Sequence, residues 1–321
     1  MQKIYPNYYN EFSCIASKCK HSCCVSWEID IDSYSLKKYQ NVKGELGDKL
    51  KNNISTDGVP KFIIKKDGRC PFLDKDNLCE LITKLGDKSL CYICANHPRF
   101  YNFLSDRTEV GLGLSCEEVA RIVLSKKQKT EFIAVGERGS KPLSNKKRKL
   151  LEFRDRVISI LQNRDKTISQ RLNDLEKEFD AKVKGLSLKG LGRFLSKLEV
   201  LDKTWLTTLK LLRTDINATD YLELAKSFPE TEIELEQFAV YLSYRHLINA
   251  YDIEDFSDRI SFIILSVNLL RALLVASYKI TGMSKFLERI EFFRSFSAEI
   301  EYSDDNFNQV LDLITMKKAG L

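Results

Sequence analysis

The run Cys14-Ile15-Ala16-Ser17-Lys18-Cys19-Lys20-His21-Ser22-Cys23-Cys24 opens the stretch on which the fold turns. It holds four of the nine cysteines, and Cys70, Cys79, Cys91, Cys94 and Cys116 complete the set, so that residues 117–321 contain none. Random scatter would confine nine cysteines to the first third of a chain about once in 10,000 trials, so position carries more weight than number. An odd count, with no apolar leader between Met1 and Cys14, argues against a disulfide scaffold and for thiols kept reduced. Buried free thiols account well for one or two cysteines and poorly for nine, which leaves metal or cluster binding. Spacing leaves the metal open. Zinc sites favour paired C-x2-C, and here only Cys91 and Cys94 show it. An iron–sulfur cluster accepts less regular spacing, but the ferredoxin run C-x2-C-x2-C-x3-C and the radical-type C-x3-C-x2-C are both absent. Adjacent side chains diverge, so Cys23 and Cys24 serve different iron atoms, different sites, or one a metal and one the core.

Outward from the cysteines, short elements are expected: a strand at 27–31, a helix from Ser35 towards Gln40 capped by Asp32 or Ser33, and a β-prone run at 61–66 ended by Asp67-Gly68. A tight turn is expected at 74–77 and a helix at 117–124. Beyond 150 the apolar period becomes helical, with segments at 150–161, 172–183, 205–212, 221–228, 233–251, 256–278, 286–296 and 307–316. Gly185, Gly190, Gly192, Pro229, Asp252 and Thr281-Gly282 read as breakers. The expected fold is mainly α: an irregular cysteine-rich α+β region at 1–125, a basic linker at 126–145, and an all-α region of seven or eight helices at 146–321.

Composition excludes other classes. Apolar residues form 43% and charged residues 30% of the 321-residue chain, with 14 Gly and 6 Pro, so a disordered or collagen-like chain is ruled out. Residues 121–171 hold fifteen Lys or Arg against five Asp or Glu. That run reads as a solvated linker or helix face, the alternative being a dock for an acidic partner. No nucleic-acid motif accompanies it, and no nucleic-acid partner is expected. The most apolar stretch, 260–278, is interrupted by Asn268 and Arg271, so it reads as a core helix, with no membrane partner and a cytoplasmic location expected.

Four motifs carry a resemblance. Phe12-Ser13-Cys14, Cys19 and Cys23-Cys24, followed by Trp27 and Ile29-Asp30-Ile31, form the first. Gly68-Arg69-Cys70-Pro71-Phe72-Leu73 with Leu78-Cys79 is the second, and Cys94-Ala95-Asn96-His97-Pro98-Arg99 the third. Leu114-Ser115-Cys116-Glu117-Glu118-Val119-Ala120-Arg121 is the fourth. Together they resemble the flagellin lysine-N-methylase (FliB) family, densely over 1–125 and more loosely through Tyr241–His246. The cysteine region also resembles the YkgJ-like zinc- or iron-chelating group. Ala95 stands where the family often has Arg, and Cys91 lies outside its recurrent cysteines.

The resemblance implies a cytosolic enzyme that methylates lysine side chains of flagellin from S-adenosylmethionine. It implies a four-iron cluster held within the set Cys14, Cys19, Cys23, Cys24, Cys70, Cys79, Cys94 and Cys116, with zinc as the alternative metal. The alternative function is a zinc- or iron-binding adaptor without catalysis. Methyl transfer needs a neutral lysine amine, hence desolvation, a nearby cation or a base, and a sulfonium donor suits aromatic faces. Tyr5, Tyr8, Tyr9, Trp27 and Tyr92 are candidates for the latter, against ordinary packing roles. Gly111-Leu112-Gly113 is too short a signal for a nucleotide loop. His21 and His97 are candidate ligands or donors to the cluster, Arg99 a candidate anion holder, and His246 a structural residue.

Overall fold

The computed structural model describes residues 1–181 and 185–320. The chain forms two compact units: one comprises 1–12, 100–115 and 119–321, the other 13–99 with 116–118. These boundaries differ from the three segments expected from sequence. Residues 1–12 and 100–115 belong to the helical unit because they build its sheet. Strand Gln2–Pro6 pairs in parallel with Arg107–Leu112 (Gln2 opposite Arg107) and antiparallel with Phe132–Val135 (Lys3 opposite Val135). Arg99–Phe103 lies on the far side of Arg107–Leu112. The expected linker at 126–145 thus carries an edge strand, and the Thr130 hydroxyl donates to Gln237 Oε1 at 2.6 Å. Its basic residues Lys126, Lys127, Lys129, Arg138 and Lys141 flank that strand on either side.

Glu230–His246 packs on this sheet: Tyr244 donates to the Ile4 carbonyl at 2.8 Å and stacks on Phe132 at 4.4 Å. A buried bidentate pair, Arg154 to Glu109 at 2.6 and 2.8 Å, fixes the helix Asn145–Leu161 to the central strand. Nine α-helices occur beyond residue 144 among the described residues, one more than the upper expectation. The addition is Leu188–Leu195, which runs through Gly190 and Gly192. Gly192 serves close packing, since a Cβ there would lie 2.9 Å from Leu212 Cδ1. The segment expected at 172–183 starts earlier, at Ile168, behind a Thr167–Gln170 capping box. Its expected end, Val183, lies outside the described residues.

The long helix Ile253–Thr281 opens on an Asp252 cap and ends at left-handed Gly282. It is long and apolar enough to cross a membrane, yet 78% of its most apolar window is buried within the chain, as befits a core helix. After Phe286–Phe296 the backbone widens into a π-helical turn at Ser297–Glu301, before the last helix, Asp304–Lys318.

The other unit is irregular. Its helices are Ser33–Gln40, Gly44–Asn52, Glu80–Leu85 and Tyr92–Asn96, with a two-stranded pairing of Ile54–Ser55 against Lys61–Phe62. The strand expected at 27–31 shrinks to one bridge, Asp30 to Lys61, because only a two-residue strand lies opposite. The core contains Ile29, Ile31, Tyr39, Leu50, Phe62, Phe72, Leu81, Cys70 and Cys91.

Candidate metal centre

All nine cysteines belong to the irregular unit, Cys116 included, and none is in a disulfide. Local chemistry places each one. The Cys14 sulfur accepts from the Ala16 amide at 3.4 Å, closing a tight turn. The Cys19 thiol donates to the His21 carbonyl at 3.3 Å and to Glu117 Oε2 at 3.6 Å. The same Glu117 oxygen accepts the Lys20 and His21 amides at 2.8 and 3.2 Å. Glu117 therefore clamps the first cysteine loop next to Cys116.

Cys24 is tied to the second motif, its carbonyl accepting the Cys70 amide at 2.8 Å, with Val25 bridging Arg69. Gly68 is required to be glycine here: its φ is +80°, and the Ser26 amide donates to its carbonyl at 2.7 Å. The expected turn at 74–77 is formed, with Asp74 Oδ1 accepting the Leu78 amide at 2.8 Å and returning the chain so that Cys79 bridges Leu73.

Cys91 occupies the position before helix Tyr92–Asn96, and Cys94 follows one turn later. Asp32 joins this helix to Ser33–Gln40, because its two oxygens accept the Ser35 amide at 2.9 Å and the Tyr92 amide at 2.8 Å. Burial opposes the Asp32 charge, but those N–H groups and the Ser35 hydroxyl outweigh it and hold the carboxyl below the usual range.

The thiols differ in acidity. Burial pushes Cys19 and Cys70 up to about 12. Cys91 is lowered to about 7, first by the Cys94 thiol donating to it, and Cys24 to about 7 by the thiol of Cys23, helped by Ser22 and the Arg69 charge. Burial lowers His97 to about 4, so its imidazole is neutral near pH 7, and its ring lies 6.3 Å from that of Trp27.

Among the described residues no three His, Cys, Asp or Glu side chains are grouped closely enough to hold a metal ion. A tetrahedral zinc, with bonds of about 2.3 Å, would draw its sulfurs to about 3.8 Å from one another. The donor chemistry is nevertheless soft and almost wholly thiol, as an iron–sulfur cluster requires, and such a cluster spans more space than one ion.

The other sequence candidates separate. Tyr5, Tyr8 and Tyr9 belong to the helical unit, whereas Trp27 and the exposed Tyr92 belong to the cysteine unit. Tyr8 is buried core, and the rings of Tyr5 and Tyr9 lie 5.2 Å apart. Gly111 and Gly113 hold no nucleotide loop: Cβ atoms there would meet Phe100 at 2.1 Å and the Tyr302 hydroxyl at 1.6 Å. Arg99 begins a strand. His246 is structural as expected, paired with Glu301 at 2.8 Å and stacked on Phe307.

The sequence gives no signal for one contact that the structure shows. Glu117 was read only as the start of a helix, although it directly follows Cys116. The C-x2-C spacing of Cys91 and Cys94 does bring their thiols into contact.

The FliB lysine N-methylase C-terminal domain family matches residues 175–320. The flagellar biosynthetic protein FliU of Salmonella muenchen is 30% identical over 148 residues, covering 42% of this chain and 82% of that protein. The lysine-N-methylases of Salmonella typhimurium and Salmonella choleraesuis are each 31% identical over 133 residues, 37% of this chain and 32% of theirs. The chain thus spans about a third of those two methylases and most of FliU. No solved structure matches it.

Proposed function

Because the chain belongs to the FliB lysine N-methylase family, we propose that it methylates lysine side chains of flagellin, using S-adenosylmethionine and a cysteine-held iron–sulfur cluster. The observation that carries this reading is the match of residues 175–320 to the methylase domain, joined to relatives named for lysine methylation and for the flagellum. A cytoplasmic setting follows as part of the same proposal, since flagellin is made there before export.

The chemistry asks the protein for a neutral lysine amine beside a methyl sulfonium. Surroundings that desolvate the ammonium or remove its proton raise the fraction of nucleophile. Of the aromatic candidates, the exposed ring of Tyr92 and the ring of Trp27 belong to the cysteine unit, and such faces suit a sulfonium. Cys14, Cys19, Cys23, Cys24, Cys70, Cys79, Cys94 and Cys116 are the proposed ligand set, within which the cluster supplies a Lewis-acidic or redox centre or a structural brace. Zinc is the alternative metal. Asp32 and Glu117 position the loops that carry these thiols.

Comparing flagellin from cells with and without this gene by mass spectrometry tests the proposal. Lysine peptides heavier by whole methyl groups only when the gene is present are expected. Identical masses would reject methylation and leave the metal-binding adaptor reading.

A further inference from the structure

The four-stranded sheet of the helical unit is open at one side, where Phe132–Val135 forms its last strand beyond Gln2–Pro6. The register decides which backbone groups face outwards. The Asn7 amide donates to the Glu131 carbonyl at 2.8 Å, and Pro6, which has no N–H, lies opposite Phe132. Bonded and non-bonded residue pairs alternate along an antiparallel ladder. Glu131, Ile133 and Val135 therefore turn their backbone groups towards Gln2–Pro6, whereas Phe132 and Ala134 turn theirs away. Among the described residues no strand lies on that outer side. The side chains of Ile133 and Val135 are 41% and 52% exposed.

Open edges are ordinarily blunted by a charge or a proline within the strand. Phe132-Ile133-Ala134-Val135 has neither. Its charges stand at the two ends: Lys127 and Lys129 before it, Arg138 and Lys141 after it, all exposed and in no ion pair among the described residues. Residues 126–141 hold five Lys or Arg against two acidic residues, Glu131 and Glu137. The positive excess continues into a cleft of about 640 Å³ lined in part by Lys129, Arg156, Lys166 and Lys177. There Arg156 is paired with Glu178 at 2.6 Å and Lys166 with Asp174 at 2.7 Å, while Lys129 and Lys177 have no carboxylate partner among the described residues. A second copy of the chain would bring the same positive excess to the edge, which opposes self-pairing.

We propose that Phe132–Val135 receives an extended, acidic segment of the protein substrate as an added outer strand. The outward amides and carbonyls of Phe132 and Ala134 supply the ladder, Ile133 and Val135 offer apolar contact on one face, and Lys127, Lys129, Arg138 and Lys141 meet carboxylates at the ends of the segment. The inference deepens, and rests on, the reading that the substrate is flagellin.

Amide exchange in the full-length chain, prepared without oxygen and labelled with nitrogen-15, tests this with flagellin monomers as the probe. Flagellin should slow exchange at Phe132 and Ala134 about tenfold or more and leave Ile133 and Val135, already bonded to Gln2–Pro6, little changed. Ala134→Pro removes one outward donor and none of the bonds to Gln2–Pro6, as an edge strand tolerates, and should weaken flagellin binding about tenfold. Lys129→Glu combined with Arg138→Glu, both at exposed positions, should weaken binding as much and flatten its dependence on salt, which keeps the test decisive if the proline variant fails to fold. Flagellin bound or methylated with both amides unprotected and both variants unaffected would overturn the docking strand and spare the methylation reading. Protection without methylation would do the reverse. Self-association of the chain that Ala134→Pro abolishes would assign the edge to a second copy and overturn the proposal. Flagellin neither bound nor methylated would overturn both.

Discussion

His246 is held neutral inside the helical unit. Burial lowers its pKa below the ordinary 6.5, although Glu301 accepts at 2.8 Å and works in the other direction. Burial opposes the Glu301 charge as well, but the Arg245 guanidinium and His246 prevail and hold that carboxyl below its usual 4.5. Both shifts act on stability with the same sign. The unfolded chain takes up a proton on His246 below about pH 6.5 and on Glu301 below about pH 4.5, before the folded chain does. Stability due to each is complete above those values and declines as the pH falls through them. Urea unfolding at pH 7.5 and 5.0, followed in the far ultraviolet, should show up to about 2 kcal/mol lost through His246. His246→Gln should be less stable at pH 7.5 and have a shallower slope between the two, whereas an unchanged slope would remove His246 from the account. At this scale the sequence was informative where a residue type has one natural use. A lone histidine in an apolar helix points to structure, and His246 is packed there against Phe307 and paired with Glu301. It was silent on Glu117, whose role depends on a loop 97 residues earlier in the chain.

Asp32 shows how one side chain can organise two elements. Its carboxylate caps Ser33–Gln40 and, through the Tyr92 amide, the helix bearing Cys94. An N-cap contributes about 1 kcal/mol. Asp32→Ala should therefore cost about 1 to 2 kcal/mol of stability and accelerate amide exchange at both Ser35 and Tyr92. Faster exchange at Ser35 alone would show that the second cap carries no weight. The first cap was visible from the Asp-Ser signal before a helical period, but the second required the fold, because 60 residues separate its partners. The same distinction separates the elements that were foreseen from those that were not. The helices 145–161, 253–281 and 286–296 follow from apolar periodicity, which is local. The strands Gln2–Pro6 and Phe132–Val135 are five and four residues long and owe their state to a partner more than a hundred residues away. Leu188–Leu195 was lost because two glycines read as breakers, when Gly192 is there to admit Leu212.

The whole molecule joins a thiol-rich unit with little regular structure to a helical unit with an ordinary apolar core. The first owes its shape to side chain–backbone clamps such as Asp32, Asp74 and Glu117 and to a small core around Phe72 and Cys91. The second is organised by the buried helix Ile253–Thr281 and by the sheet into which the first residues of the chain return. The division of labour between cysteines and helices was legible in composition, since all the cysteines precede residue 117. The return of residues 1–12 and 100–115 to the helical unit was not, because sheet membership is a long-range property. Methyl transfer by the purified chain tests the proposed lysine methylation. Anaerobically prepared protein should be incubated with flagellin and S-adenosylmethionine labelled in its methyl group, and the flagellin then digested. Label on flagellin lysine side chains that depends on the protein is expected. Unlabelled flagellin lysines, with protein shown to be folded and loaded with iron and sulfide, would contradict it.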